Sequence, residues 1–114
     1  GLTREQYVTL LPKSVTTAIS MDVAAELGGI AALTGAIVIL TGIAGNLLAE
    51  VVCKIFHITD PIAKGVGIGT SAHAVGTSKA LQMGEVEGAM SGLSIAVAGV
   101  LTAVLCPFFV SFIQ

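Results

Sequence analysis

Two short stretches of this chain gather a cation with several hydroxyls, and each stands beside a long apolar run. In the first, Pro12 is followed by Lys13, Ser14, Thr16 and Thr17. Proline suits the first turn of a helix, where its missing N–H is not needed. The spacing therefore predicts a helix that begins near Pro12, with unpaired N–H groups, a partial positive charge and Lys13 close together, an arrangement that binds anions. The plainer alternative is that Ser14 only caps this helix while Lys13 reaches to the headgroups. The second stretch holds Thr70, Ser71, His73, Thr77, Ser78 and Lys79 among glycines that permit non-helical backbone. An imidazole there is a candidate proton relay, and equally serves as a fixed hydrogen-bonding group.

Other chemistries are excluded or weak. Asp22 and Glu26 are four apart and share a helix face, where they hold a coupling cation or are simply solvated. Glu85 and Glu87 fall in an acidic turn, and His57 in a charged connection. No acid stands at a useful spacing from Ser71 and His73, so hydrolase chemistry, and an enzyme in general, is not expected. The GxxxxGK[ST] phosphate loop is missing, and no Cys/His spacing predicts a metal site or another cofactor. Cys53 and Cys106 are isolated thiols in apolar sequence and read as small hydrophobes. A net charge of −2 argues against a nucleic-acid partner.

The elements that must position these residues are set by two uncharged runs, residues 28–49 and 88–114. Each is long enough to cross a hydrocarbon core about 30 Å thick as a helix. Hydrophobic residues make up 54% of the chain and charged ones 11%, and mean hydropathy is +0.97. A water-soluble domain carries about twice that share of charge. The fold expected is thus an all-α, polytopic membrane protein with lipid as its first partner. Two long transmembrane helices, 29–52 and 89–112, alternate with two polar segments, which are too hydroxyl-rich to face lipid and are expected to be broken or re-entrant helices. Residues 1–9 read as a polar lead-in. Asp60-Pro61 reads as a turn and helix start, and Pro107 as a kink or end. Glycines and alanines at residues 32, 35, 36, 42 and 45 give the first long helix a small-residue face. A shift of 57 residues lays Ser14 on Ser71, Gly35 on Gly92 and Gly42 on Gly99. A single membrane domain of two helical units, 10–57 and 61–114, with a weak internal repeat, is the expected organisation. The lysines of the central connection place it on the cytoplasmic side.

LPKSVTTAISM at 11–21, GGIAALTG at 28–35, DPIAKGVGIGTSAHAVGTSKAL at 60–81 and EGAMSGL at 87–93 resemble the LrgB/CidB family. These are antiholin-like bacterial inner-membrane proteins, to which a plastid glycolate/glycerate translocator is related. The resemblance covers nearly the whole chain after residue 9 and implies the C-terminal half of a family member. It implies export or transport of small carboxylates such as glycolate, glycerate or pyruvate. On that reading Lys13, Ser14, Thr16 and Thr17 meet Thr70, Ser71, His73, Thr77 and Ser78 near the midplane. The alternative it implies is an antiholin-like regulator of murein hydrolase export and lysis, assembled as a homo-oligomer, with the remaining half of a longer chain, or with a small holin-like subunit. The chain departs from the family pattern at Ala18, where proline is usual and would impose a helix break. It departs again at Lys79, where arginine is common; lysine keeps the charge but loses the bidentate fork.

Overall fold

The computed structural model describes residues 1–113; Gln114, the last residue of the second apolar run, lies outside them. Five helices follow in order: α1 (Arg4–Leu10), α2 (Thr17–Glu26), α3 (Ala31–Ile55), α4 (Pro61–Met83) and α5 (Glu85–Val110). The molecule measures 42 × 22 × 22 Å, so its long axis matches a bilayer with its headgroups.

α3 and α5 are long and apolar enough to cross that bilayer. Only 17% and 22% of their most apolar windows are buried inside the protein. Leu40, Leu47, Val51, Val100, Val104 and Phe108 all point outward. A core helix of a soluble domain hides such residues; here they form a belt that water would not tolerate and lipid does.

α4 is not one straight helix. At His73 the backbone turns to φ 42°, ψ −142°, a conformation unusual for a residue with a Cβ. The chain reverses there. Ile68 and Ala80, on either side of the break, both belong to the cluster around Ala49 of α3. A Cβ placed on Gly76 would also touch Ile68, eight residues earlier. In a continuous helix residues 68 and 80 would be about 18 Å apart along the axis. The halves 61–72 and 74–83 therefore form a hairpin that enters beside the C-terminal end of α3 and returns to it. Asp60 starts the hairpin by accepting from the N–H of Ala63 at 2.7 Å, with Pro61 in the first turn, as the sequence predicts. α5 then leaves from the same end, because Gly65 and Gly69 lie directly against Glu87 and Ser91.

The N-terminal unit repeats this plan from the opposite end. Thr9 accepts from the N–H of Ile30 at 2.9 Å, and Thr34 donates to the carbonyl of Thr9 at 2.8 Å. Residues 9 and 30 are thus side by side, while Ile19 between them reaches Gly99 at the middle of α5. The chain dips in and comes back. Shifted by 57 residues, α2 coincides with 74–83, the start of α1 with Pro61, and the break at Thr16 with the break at His73. Thr34 falls on Ser91, and both are fully buried. One hairpin plus one long helix thus occurs twice, the second unit inverted relative to the first.

Several expectations need correction. The lead-in 1–9 is mostly helix, since α1 starts at Arg4 and is capped by Thr3, with Thr3 and Gln6 bonding each other's backbone N–H. Pro12 lies in the turn behind α1 and starts no helix; α2 begins at Thr17, behind Thr16, two residues later than a cap at Ser14 would set it. Glu85 and Glu87 form the first turn of α5, where their charge suits the helix dipole, and not a loop. Pro107 neither ends nor interrupts α5, which runs on to Val110. The break in the first unit needs no proline: Thr16 has φ −58° and ψ 147° although residue 18 is alanine.

Candidate functional site

The polar residues that shape the membrane interior gather where the α4 hairpin turns. His73 is buried, 2% exposed, and its Nε2 lies 2.8 Å from the carbonyl of Val38. A carbonyl only accepts, so Nε2 carries the proton. The ring rests where Gly42 of α3 has no side chain; a Cβ there would come within 2.7 Å of the imidazole. One helix turn further, Asn46 donates to the carbonyl of Val75 at 2.7 Å and to Ser78 Oγ at 2.9 Å. From the other flank, Thr77 Oγ1 donates to the carbonyl of His73 at 2.9 Å, which leaves Ser91 as donor in the 2.7 Å Thr77–Ser91 bond. The reversal is therefore pinned to α3 by His73 and Asn46 and to α5 by Thr77. Among the described residues no buried side-chain nitrogen or oxygen lacks a partner. That is the condition for non-helical backbone at membrane depth.

His73 meets α3 near its middle, so the tip reaches the centre of the membrane. Thr70 and Ser71 are exposed on the half-helix 61–72, with their hydroxyls bonded back to Val66 and Gly67 at 2.7 and 2.6 Å. Ser78 is exposed on the returning half. Lys79 is carried away from the tip toward the α3–α4 connection, where it pairs with Glu50 at 2.9 Å. The first cluster lies elsewhere. Lys13 is exposed and donates to Ser14 Oγ at 3.0 Å; Thr16 provides no side-chain cap, and Thr17 opens α2. α2 packs on α3 and α5, α4 packs on the same two helices, and no hydrogen bond joins the clusters among the described residues. The two hairpins that carry the clusters approach the same pair of long helices from opposite ends.

Asn46, Ser91 and Thr34 were not singled out by sequence. The available signal was an amide and two hydroxyls inside otherwise apolar runs, since a polar side chain there has to find a partner. Asn46→Leu removes two bonds that hold the tip. It is expected to destabilise the fold by about 1–2 kcal/mol, read as an earlier loss of helicity in denaturing micelles.

Two apolar helices with lipid-ready faces, interleaved with two inverted re-entrant hairpins, define a helical membrane protein built from crossing and broken helices. The chain belongs to the LrgB-like family, whose model matches residues 1–112. It is 43% identical over 104 residues to the uncharacterized protein YwbG of Bacillus subtilis (strain 168), covering 91% of this chain and 46% of that protein. It is 39% identical over 113 residues to the antiholin-like protein LrgB of Bacillus mycoides (strain KBAB4) and of Bacillus cereus (strain B4264), covering 99% of this chain and 49% of each. The chain thus spans about half the length of these relatives. No solved structure matches it.

Proposed function

We propose that this chain is the C-terminal half of an antiholin-like LrgB-type protein, multi-pass in the bacterial inner membrane, which restrains murein hydrolase export and lysis. The observation that carries the reading is 39% identity to antiholin-like LrgB proteins across 99% of the chain. The exposed apolar faces of α3 and α5 give it surfaces for the other half of a longer polypeptide, further copies, or a small holin-like subunit. No catalytic step is part of this role.

The test is a graft. This chain replaces the corresponding half of the LrgB-type protein in a Bacillus strain that lacks its own, and autolysis is followed after a lytic stimulus. Restoration of the parental autolysis rate supports the role. A graft that inserts in the membrane yet leaves autolysis at the level of the deletion strain contradicts it.

One observation favours the second reading, passage of small carboxylates. The α4 break brings the hydroxyls of Thr70, Ser71 and Ser78 to the membrane interior, where broken helices of transporters hold substrates. Glycolate uptake into proteoliposomes, abolished by Ser71→Ala or Lys13→Ala with assembly intact, would establish it. Uptake indifferent to both substitutions removes Lys13 and Ser71 from any such path.

A further inference from the structure

The α3–α4 connection opens onto two cavities that share Cys53, Ile58 and Lys64 and so run into each other. The deeper one, about 230 Å³, follows the seam between α3 and the half-helix 61–72, from Ile58 down to Gly45, Ile68 and Ser71. Its walls are apolar except at Lys64 and Ser71, and Leu48, Val52, Ala63 and Gly67 along its side are exposed, so it is open laterally. The outer one, about 460 Å³, is lined by Lys54, His57 and Lys64 together with Glu50, Thr59 and Gln82.

The charges of the mouth are unevenly matched. Glu50, its one carboxylate, is bonded to Lys79. Asp60 is engaged with the N–H of Ala63, and Glu85 and Glu87 belong to the first turn of α5 and line neither cavity. Lys54 and Lys64 form no ion pair among the described residues. Two ammonium groups and an imidazole therefore face an opening that continues as an apolar slot to mid-membrane depth.

We propose that this cleft binds an anionic phospholipid, with the headgroup phosphate at Lys54, His57 and Lys64 and one acyl chain along the slot between α3 and α4. A free anion would use only the mouth and an uncharged acyl chain only the slot, so the continuity of the two selects a lipid phosphate with its chain; the choline of a zwitterionic lipid would bring a further cation against the two ammonium groups, which favours a lipid with net negative charge. The lipid would also fill the seam that the re-entrant hairpin leaves against α3, coupling headgroup chemistry to the position of the His73 tip.

Native mass spectrometry of the detergent-solubilised chain, titrated with phosphatidylglycerol, phosphatidylcholine or inorganic phosphate, tests this. Phosphatidylglycerol is expected to bind at least about tenfold more tightly than phosphatidylcholine, and the Lys54→Ala/Lys64→Ala double variant to lose about that factor. Gly67→Leu supplies the second arm. Gly67 lines the slot and nothing lies within 4 Å of a Cβ there, so a leucine displaces no neighbour and adds bulk at the open side of the slot. It is expected to weaken phosphatidylglycerol binding with helicity and thermal stability unchanged. The proposal is overturned by equal binding of the two lipids, by phosphate displacing phosphatidylglycerol at millimolar concentration, or by a double variant that binds as the parent does.

Discussion

His73→Gly should be more stable than His73→Ala. Both substitutions delete the imidazole and its 2.8 Å bond to the carbonyl of Val38, so both lose the same contact with α3. They differ in the backbone. Residue 73 has φ 42° and ψ −142°, a conformation that costs a residue with a Cβ on the order of 1–3 kcal/mol and glycine almost nothing. Glycine should therefore come out ahead by about 1–2 kcal/mol. If α4 were a continuous helix through residue 73, the sign would reverse, since glycine in a helix interior is about 1 kcal/mol worse than alanine. Unfolding of the three proteins in mixed micelles, followed by circular dichroism, decides between the two. Parent above glycine above alanine is the order expected; alanine above glycine would show a straight α4.

Gly69→Val is expected to have the larger absolute effect. Gly69 packs backbone to backbone on α5: a Cβ there would lie 2.9 Å from the Cα of Ser91 and 3.0 Å from its carbonyl carbon, with its carbonyl oxygen closer still. None of these atoms belongs to a flexible side chain that could move aside. Gly65, one turn earlier, presses in the same way on Glu87 and Met90. This is the small-xxx-small packing that membrane helices use in place of a hydrophobic drive. Valine at 69 should force the half-helix 61–72 off α5 and pull Thr77 away from Ser91, at a cost of about 3 kcal/mol or more, since overpacking adds to the lost bond. Gly67→Val is the matched control: the same change of residue on the same half-helix, into open space. A loss of stability at 69 and none at 67 is expected. Equal losses would mean that general helix perturbation, and not the α4–α5 contact, is responsible.

The parts of this fold legible in sequence are those governed by composition and local rules. The charge-free runs mark α3 and α5 because a crossing helix tolerates few charges along its length, and Asp60-Pro61 marks the start of α4 because cap and proline act within one turn. The polar segments read as broken or re-entrant because their hydroxyls suit neither lipid nor a featureless core. What did not show is which residue breaks them. Pro12 and the missing proline at position 18 drew attention in the first unit, yet its break falls at Thr16. In the second unit the break falls on His73, held by groups 27 or more residues earlier in the chain, Val38 and Asn46. Such a break is a tertiary event, fixed by partners that local propensity does not contain. The glycines nearby are spent on helix contact instead.

The same limit applies to the site. Whether the Lys13 and Thr70 clusters meet depends on how two hairpins pack against α3 and α5, and sequence spacing is silent on that. Lys79 looked like part of the hydroxyl cluster because it follows Ser78 directly. The hairpin carries it back toward the connection and into contact with Glu50, a consequence of the chain reversal alone.

Sidedness of the two ends of α4 is the most direct check on all of this. Ile62 and Gln82 are both exposed, and each can be replaced by cysteine in a background with Cys53 and Cys106 changed to serine. In sealed, uniformly oriented vesicles, a membrane-impermeant thiol reagent added outside should label both positions or neither, because the chain enters and leaves by one face. Labelling of one position from outside and the other only after the vesicles are opened would mean that α4 crosses the membrane, and the re-entrant tip at His73 would have to be abandoned.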